Sequence, residues 1–244
     1  MTNYSLLIEY DGTRYNGWQK QGNTPNTIQE RFENILFKLC GKKVEIFASG
    51  RTDKGVHAKG QVANFKCEID MHPEEIKDYF NKYLPEDIRI LNAKIEDERF
   101  HSRLNAKSKT YEYNIATVKP SVFNRKYVYH TEDSVNVEKM KRSAAKLLGT
   151  HDFIGFSSVK KTKKSTIRTI NSIDILEESG IITIRINGNG FLYNMVRIIT
   201  GTLFEIGTGK KEDRVIDEVF KLKERSLSGE TLPACGLTLE SVYY

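Results

Sequence analysis

The sequence predicts an α+β protein of two related halves, residues 1–105 and 106–244. Two observations carry the expectation. Strand-like alternation and helix-like stripes follow one another as strand, helix, two strands, helix, strand, and the same order then recurs. "YSLLIEY", from Tyr4, alternates as a strand. "TIQERFENILFKL" gathers Ile28, Phe32, Ile35, Leu36 and Leu39 on one helical stripe, with Thr27 and Glu30 at the spacing of a capping box. "VEIFAS" and "QVANF" read as half-buried strands flanking a charged loop. "HPEEIKDYFNKYL" is a helix opened by Pro73, and "DIRILNAKI" is the strand that ends the first round. That order is the split βαβ plan. After the basic connection "RFHSRLNAKSK", the run "TYEYNIATV" alternates again and "VEKMKRSAAKLLG" is a helix ending at Gly149. "TIRTINSIDILEE" and "GIITIRING" form a hairpin, "FLYNMVRIITGTLFEIG" is an apolar helix and "GLTLESVYY" is a closing strand. Two sheets joined along an edge would leave a cleft between the halves, and such junctions favour binding sites.

Composition narrows the class. The 244 residues suffice to bury roughly three quarters of the unfolded surface. A formal charge of +6 points toward a polyanionic partner, although a modest lysine excess is also common on ordinary soluble proteins. Cys40, Cys67 and Cys235 lie far apart, without C-x-x-C pairs or matching histidine spacing, so neither a disulfide framework nor a zinc site is expected. No basic start precedes a long apolar run, and no window nears the roughly 18 apolar residues of a membrane helix, so the expected location is the cytoplasm.

Two anomalies stand out. "ASGRTDKGVHAKG", from Ala48, packs Arg51, Asp53, Lys54 and His57 into a loop between two apolar strands, with Gly50 and Gly55 bracketing the charges. A surface turn needs no such composition. The second anomaly is Arg197, which stands inside an apolar helix that should be buried. Either its side chain snorkels to the surface or a carboxylate from elsewhere in the chain meets it. Glu205, the nearest acid in that helix, is more than two turns away, and Asp53 is one candidate partner.

Six blocks in order, "YDGTRYNGWQKQ", "GRTDKGVHA", "SKTYEYNI", "HDFIGFSS", "GFLYNMVRIITGTL" and "LPACGLTLESVYY", resemble the tRNA pseudouridine synthase A family over almost the whole chain. The ending "GETLPACGLTL" departs from the Thr-Ala-Pro-Ala run more usual there. The resemblance implies the pseudouridine synthase fold, an α+β architecture of two RRM-like or ferredoxin-like halves joined through one extended antiparallel sheet. It also implies a homodimer that isomerises uridines 38, 39 and 40 in the anticodon arm of tRNA, without metal or cofactor. By the same resemblance the catalytic residues are Asp53 as nucleophile, Tyr111 as the aromatic that stacks on the target base and serves at or near the proton acceptor, and Arg197 as the ion-pair partner of Asp53.

A carboxylate suits this chemistry because it attacks and also leaves. Attack at the anomeric carbon, attack at ring carbon 6 and assisted elimination to a glycal all stay open. Arg51 would fill the space of a flipped nucleotide, and Arg51 and Lys54, the cations flanking Asp53, are expected to handle the phosphate backbone. Tyr113 points to the same face as Tyr111 and competes for its role. Arg99, Arg103, Lys107 and Lys109 form an acid-poor run before Tyr111 and are expected on the RNA backbone. Lys160, Lys161, Lys163, Lys164 and Arg168 form a second basic loop, equally compatible with a solvated face. Asp11 reads as a turn residue, Trp18 as packing, and His57, His101 and His151 as structural. A noncatalytic RNA-binding module would leave Asp53 and Arg197 unexplained. A metal-dependent nuclease would need several convergent carboxylates, and only Asp53 stands out.

Overall fold

The computed structural model describes residues 1–160 and 162–244; Lys161, counted above with the second basic loop, lies outside them. In chain order the elements are β1 (Thr2–Tyr10), α1 (Ile28–Cys40), β2 (Ile46–Ala48), β3 (His57–Cys67), α2 (Pro73–Tyr83), β4 (Ile88–Glu96), β5 (Ser108–Ala116), β6 (Tyr129–His130), α3 (Val137–Ala144), β7 (Gly149–Asp152), β8 (Ile167–Glu178), β9 (Ile181–Gly188), α4 (Met195–Gly207), α5 (Val215–Leu222) and β10 (Leu237–Tyr243). They group into two compact units, Met1–Lys107 with Thr238–Tyr244, and Ser108–Leu237.

In the first unit β1 lies between β4 and β3, antiparallel to both, so that Tyr4 faces Phe65 on one side and Ile95 on the other. The outer edge of β3 is shared. β2 pairs with it antiparallel at Ile46 and Phe65, while β10 pairs parallel at Thr238 and His57. The closing strand, counted in sequence with the second half, therefore packs with the first from Thr238 onward. Tyr4, Leu6, Ile8 and Phe65 present one buried face, which the stripe of Ile28, Phe32, Ile35 and Leu36 on α1 and Ile76 and Phe80 on α2 cover. Ring contacts Phe32–Phe80 at 5.5 Å and Phe65–Phe80 at 5.9 Å join sheet and helices.

Helix ends follow the local chemistry. His72 and Glu75 form a capping box ahead of Pro73 on α2. On α1 only half of the expected box forms: Thr27 Oγ1 accepts from Glu30 N–H, whereas the Glu30 carboxylate turns to Lys20 at 3.8 Å. Cys40 and Cys67, distant in sequence, are both free thiols, and burial, with the neighbouring Cys67 adding to it, holds the Cys40 thiol up at about 11.

In the second unit the sheet order is β5, β9, β8, β7, antiparallel throughout, with the short β6 parallel to β5. The β8–β9 hairpin turns through Ser179 and Gly180, both at positive φ, the two-residue geometry that matches strand twist. α3 is shorter than expected. It ends at Ala144, and a single tighter turn continues to Leu147. α5 escaped the sequence reading because its eight residues carry one narrow stripe, Val215, Ile216 and Val219, among flanking charges. Just beyond that stripe, Phe220 packs on Phe153, Phe156 and the His151 ring.

α4 also starts later than the apolar run. Asn194 takes φ +60°, a left-handed conformation that a helix cannot pass through, so the first helical residue is Met195. A strap, residues 229–232, crosses this helix. Thr202 Oγ1 accepts from Gly229 N–H at 2.8 Å, Glu205 Oε1 accepts from Glu230 N–H at 2.8 Å, and a Cβ on Gly201 would stand 1.9 Å from the Glu230 carbonyl oxygen. Only a residue without a side chain lets the backbones meet so closely. Gly201→Ala must then push the strap off α4, and we expect it to lower stability by about 3 kcal/mol in thermal or urea unfolding. A melting temperature equal to that of the native chain would show that the strap is not seated in this way.

Candidate active site

The loop between β2 and β3 carries Asp53, half-buried, between the exposed cations Arg51 and Lys54. Its backbone is held on both sides of Asp53. Trp18 N–H donates to the Thr52 carbonyl at 3.0 Å, and Gly55 N–H donates to the Tyr15 carbonyl at 3.3 Å. Val56 N–H closes a tight turn onto the Asp53 carbonyl at 3.1 Å, and Gly55, third in that turn, takes the φ of +79° that such turns require. The close fit explains a glycine in the preceding segment: a Cβ on Gly17 would lie 2.6 Å from the Thr52 oxygen, and its φ is +90°.

The holding segment, Tyr10 to Trp18, is itself fixed. Asp11 accepts from Thr13 N–H at 2.9 Å and so acts as the turn residue its position suggested. Gly12 N–H donates to His57 Nδ1 at 3.1 Å. The Tyr15 hydroxyl donates to Asp87 at 2.6 Å, and Arg14 meets the same carboxylate. Trp18 is buried on Phe32 of α1. Ile28 and Gln29, at the start of α1, donate their N–H groups to the carbonyls of Gly17 and Trp18. Two donors that a helix start leaves without intrahelical partners thereby anchor the segment.

Beneath the loop runs a buried polar seam. Ser49 Oγ donates to Gln61 Oε1 at 2.7 Å, Gln61 Nε2 donates to the Gly50 carbonyl at 2.8 Å, and the Tyr10 and Thr52 hydroxyls meet at 2.8 Å. Burial pushes the Tyr10 hydroxyl up to about 12, with hydrogen bonding from Thr52 and Gln61 pulling the other way. Gln61 stands opposite Ile8 in the ladder, on the face that Tyr10 shares.

Tyr111 and Arg197 belong to the second unit. Tyr111, on β5, is 7% exposed, and its ring meets Phe191 edge-on at 5.1 Å. Tyr113, two residues on, is 0% exposed and donates its hydroxyl to the Pro233 carbonyl at 2.7 Å, and burial drives its pKa well above the usual phenol range. Arg197 differs from expectation. Because α4 begins at Met195, it stands in the first turn, half-buried, and not in the middle of a buried helix. Its Nε donates to the Leu232 carbonyl at 2.6 Å and its Nη1 to Asn194 Oδ1 at 3.0 Å. Arg197 and Tyr113 are thus tied to two consecutive carbonyls, that of Leu232 in the strap and that of Pro233 just after it. Sequence reading missed the strap, whose signal was the glycine-flanked "GETLPACG".

The basic residues separate by geometry. Arg99, Arg103 and Lys107 are exposed on the first unit, and Lys109 is half-buried on β5. In the second basic loop Lys160, Lys163 and Lys164 are exposed, while Arg168 folds back onto the carbonyls of Ser165 and Ile167, burial lowering its pKa. His101 and His151 do structural work. His101 packs on Phe47 and accepts from Arg103 N–H, while His151 stacks on Phe220 at 4.4 Å. Among the described residues no three His, Cys, Asp or Glu side chains are grouped to hold a metal ion, and no helix is long and apolar enough to cross a membrane.

Compared with known proteins, residues 6–105 and 143–244 match the family model described as tRNA pseudouridine synthase. These spans include the Asp53 loop, the helix of Arg197 and the strap. The chain is 44% identical to tRNA pseudouridine synthase A 2 of Bacillus cereus (strain ZK / E33L), with 100% of both chains covered. It is 46% identical to tRNA pseudouridine synthase A of Bacillus sp. (strain KSM-64) and to tRNA pseudouridine synthase A 1 of Clostridium tetani (strain Massachusetts / E88), again with 100% of both chains covered. With a family model matched over most of its length and relatives matched from end to end, the chain belongs to the tRNA pseudouridine synthase family.

Proposed function

We propose that the chain isomerises uridine to pseudouridine in the anticodon arm of tRNA, at positions 38, 39 and 40, as a cytoplasmic homodimer. The observation that carries this reading is the end-to-end similarity to tRNA pseudouridine synthases, within which the one carboxylate singled out by sequence sits on a loop held from both sides. The reaction breaks the bond from the sugar anomeric carbon to uracil N1, forms a bond to C5, and moves a proton from C5 while N1 becomes protonated. Asp53 is the reacting carboxylate, the nucleophile where it adds to the sugar or to ring carbon 6 and the proton acceptor where it assists elimination; each route needs an ionised carboxylate held at one face of the nucleotide. A base inside a folded RNA must be extruded first, and Arg51, exposed beside Asp53, fills the vacated space.

Tyr111 stacks on the uracil and serves at or near the C5 proton. Its rival Tyr113 is fully buried with its hydroxyl engaged by Pro233, which supports the choice of Tyr111. Arg197 is the ion-pair partner of Asp53. Its hydrogen bonds to Leu232 and Asn194 keep the guanidinium fork in one plane without neutralising it. Lys54, Arg103, Lys107 and Lys109 contact phosphates. Folded RNA is read by shape and backbone more than by base edges, and exposed loop cations suit that task.

Asp53→Asn keeps the shape and removes the nucleophile. We expect no tritium release from tRNA labelled at C5 of uridine, with tRNA affinity within a few fold of native; turnover by the pure variant would remove Asp53 from this role. Arg197→Lys keeps the charge but cannot make both fork contacts. It should lower stability by about 1 to 3 kcal/mol and reduce turnover more than tRNA affinity, and an unchanged melt together with native turnover would dismiss the fork. Replacing Arg103 and Lys107 together by serine should weaken binding to every tRNA and flatten the salt dependence by roughly one logarithmic unit per lost phosphate contact. A filter-binding series at several salt concentrations measures the slope, and an unchanged slope would return both residues to a solvated face.

A further inference from the structure

The side chains beneath the Asp53 loop bear on the reaction as well as on the fold. Four polar side chains, from Tyr10, Ser49, Thr52 and Gln61, are each at least 95% buried, and all lie within the first unit. A core position for a polar group is unfavourable unless its hydrogen bonds are made, and Val, Phe or Leu would pack a β-strand end as well. Their hydrogen bonds converge on one short stretch of backbone. Gln61, from β3, holds Ser49 through its oxygen and Gly50 through its nitrogen. Tyr10, the last residue of β1, reaches Thr52, the residue immediately before Asp53. The Thr52 carbonyl is meanwhile held by Trp18 N–H, so both the hydroxyl and the carbonyl of the residue preceding Asp53 are fixed.

We propose that Tyr10 is a positioning residue for Asp53, acting through the Thr52 hydroxyl to set the rotation of the peptide that leads into the carboxylate, with Gln61 fixing the two residues before it. The inference rests on Asp53 being the nucleophile, as read above. It follows from distance and rigidity: Thr52, the residue joined directly to Asp53, is tethered at both its hydroxyl and its carbonyl, so releasing one tether lets the carboxylate swing without unfolding the loop. Geometry errors of about 1 Å at a reacting group lower rates by up to roughly a hundredfold while leaving substrate binding in place. Burial keeps the Tyr10 hydroxyl protonated across the working pH range, since it titrates only near 12, so the tether does not loosen with pH.

Tyr10→Phe and Thr52→Val each remove one hydroxyl at nearly constant volume. With tritiated tRNA as substrate, we expect each to lower kcat roughly tenfold with KM within about twofold of native. The double variant should be no slower than the slower single one, because both delete the same bond. Thr52→Ser, which restores the hydroxyl, should recover most of the loss seen in Thr52→Val. Folded Tyr10→Phe protein with native kcat would overturn the proposal, as would losses that multiply in the double variant or a Thr52→Ser variant as slow as Thr52→Val. Should Tyr10→Phe fail to fold, the Thr52→Val and Thr52→Ser pair decides the matter alone. Failure of the functional reading itself is separable: the native protein would then release no label from any tRNA, whereas the positioning claim is judged only against an active native enzyme.

Discussion

The constraint on which the first unit depends is the mutual hold of three chain segments: the start of α1, the Tyr10–Trp18 segment and the Asp53 loop. The first N–H groups of a helix have no partners within it and must find acceptors. Here the carbonyls of Gly17 and Trp18 supply two of them, while the N–H of Trp18 turns the other way to the Thr52 carbonyl. A single peptide thus faces the helix on one side and the loop on the other. Trp18 and Phe32, stacked at 5.9 Å, bury that junction against the core. The loop inherits the rigidity of the helix, which suits the nucleophile role proposed for its carboxylate.

The second unit solves a related problem with different means. Arg197 stands at the start of α4, where the positive end of the helix dipole disfavours a cation. Two neutral acceptors hold it there, Asn194 at the helix start and the Leu232 carbonyl of the strap. Neutral acceptors orient a guanidinium yet leave its charge for an anion, whereas a carboxylate in their place would have cancelled it. The strap can supply those carbonyls only because Gly201 lets it lie directly on the helix. The next carbonyl, of Pro233, takes the Tyr113 hydroxyl and so ties β5, the strand of Tyr111, to the same strap.

How much of this was legible follows from the range of each interaction. The strand and helix order and the start of α2 at Pro73 were readable because they depend on residues a few positions apart. The Asp53 loop was readable as an anomaly, because charge between two apolar strands has few structural uses. The start of α4 was not, since apolar periodicity continues through Phe191 and Leu192, and only the left-handed Asn194 stops the helix. Nor was the environment of Arg197, whose acceptor Leu232 lies 35 residues on and offers a main-chain atom, which no residue pattern encodes. The Cys40–Cys67 contact and the Tyr10–Thr52 bond were hidden for the same reason: each joins elements whose register only the folded sheet determines.

The charge of +6 takes on meaning only after the cations are sorted. Many lysines are spent within the surface itself: Lys42 with Glu68, Lys141 with Glu138, Lys146 with Asp217, Lys210 with Asp133 and Lys223 with Asp152. Exposed pairs of this kind add little stability, but they remove those lysines from the field that a polyanion feels. Arg51, Lys54, Arg103 and Lys107 are exposed and enter no ion pair among the described residues. All four belong to the first unit, two on the Asp53 loop and two on the segment that follows β4. A small net charge can therefore coexist with a stronger local one, because these ion pairs engage other lysines and not the four exposed cations of these two loops. Association with an RNA backbone is governed by such exposed, unpaired cations, each releasing counterions when it meets a phosphate, and not by the total.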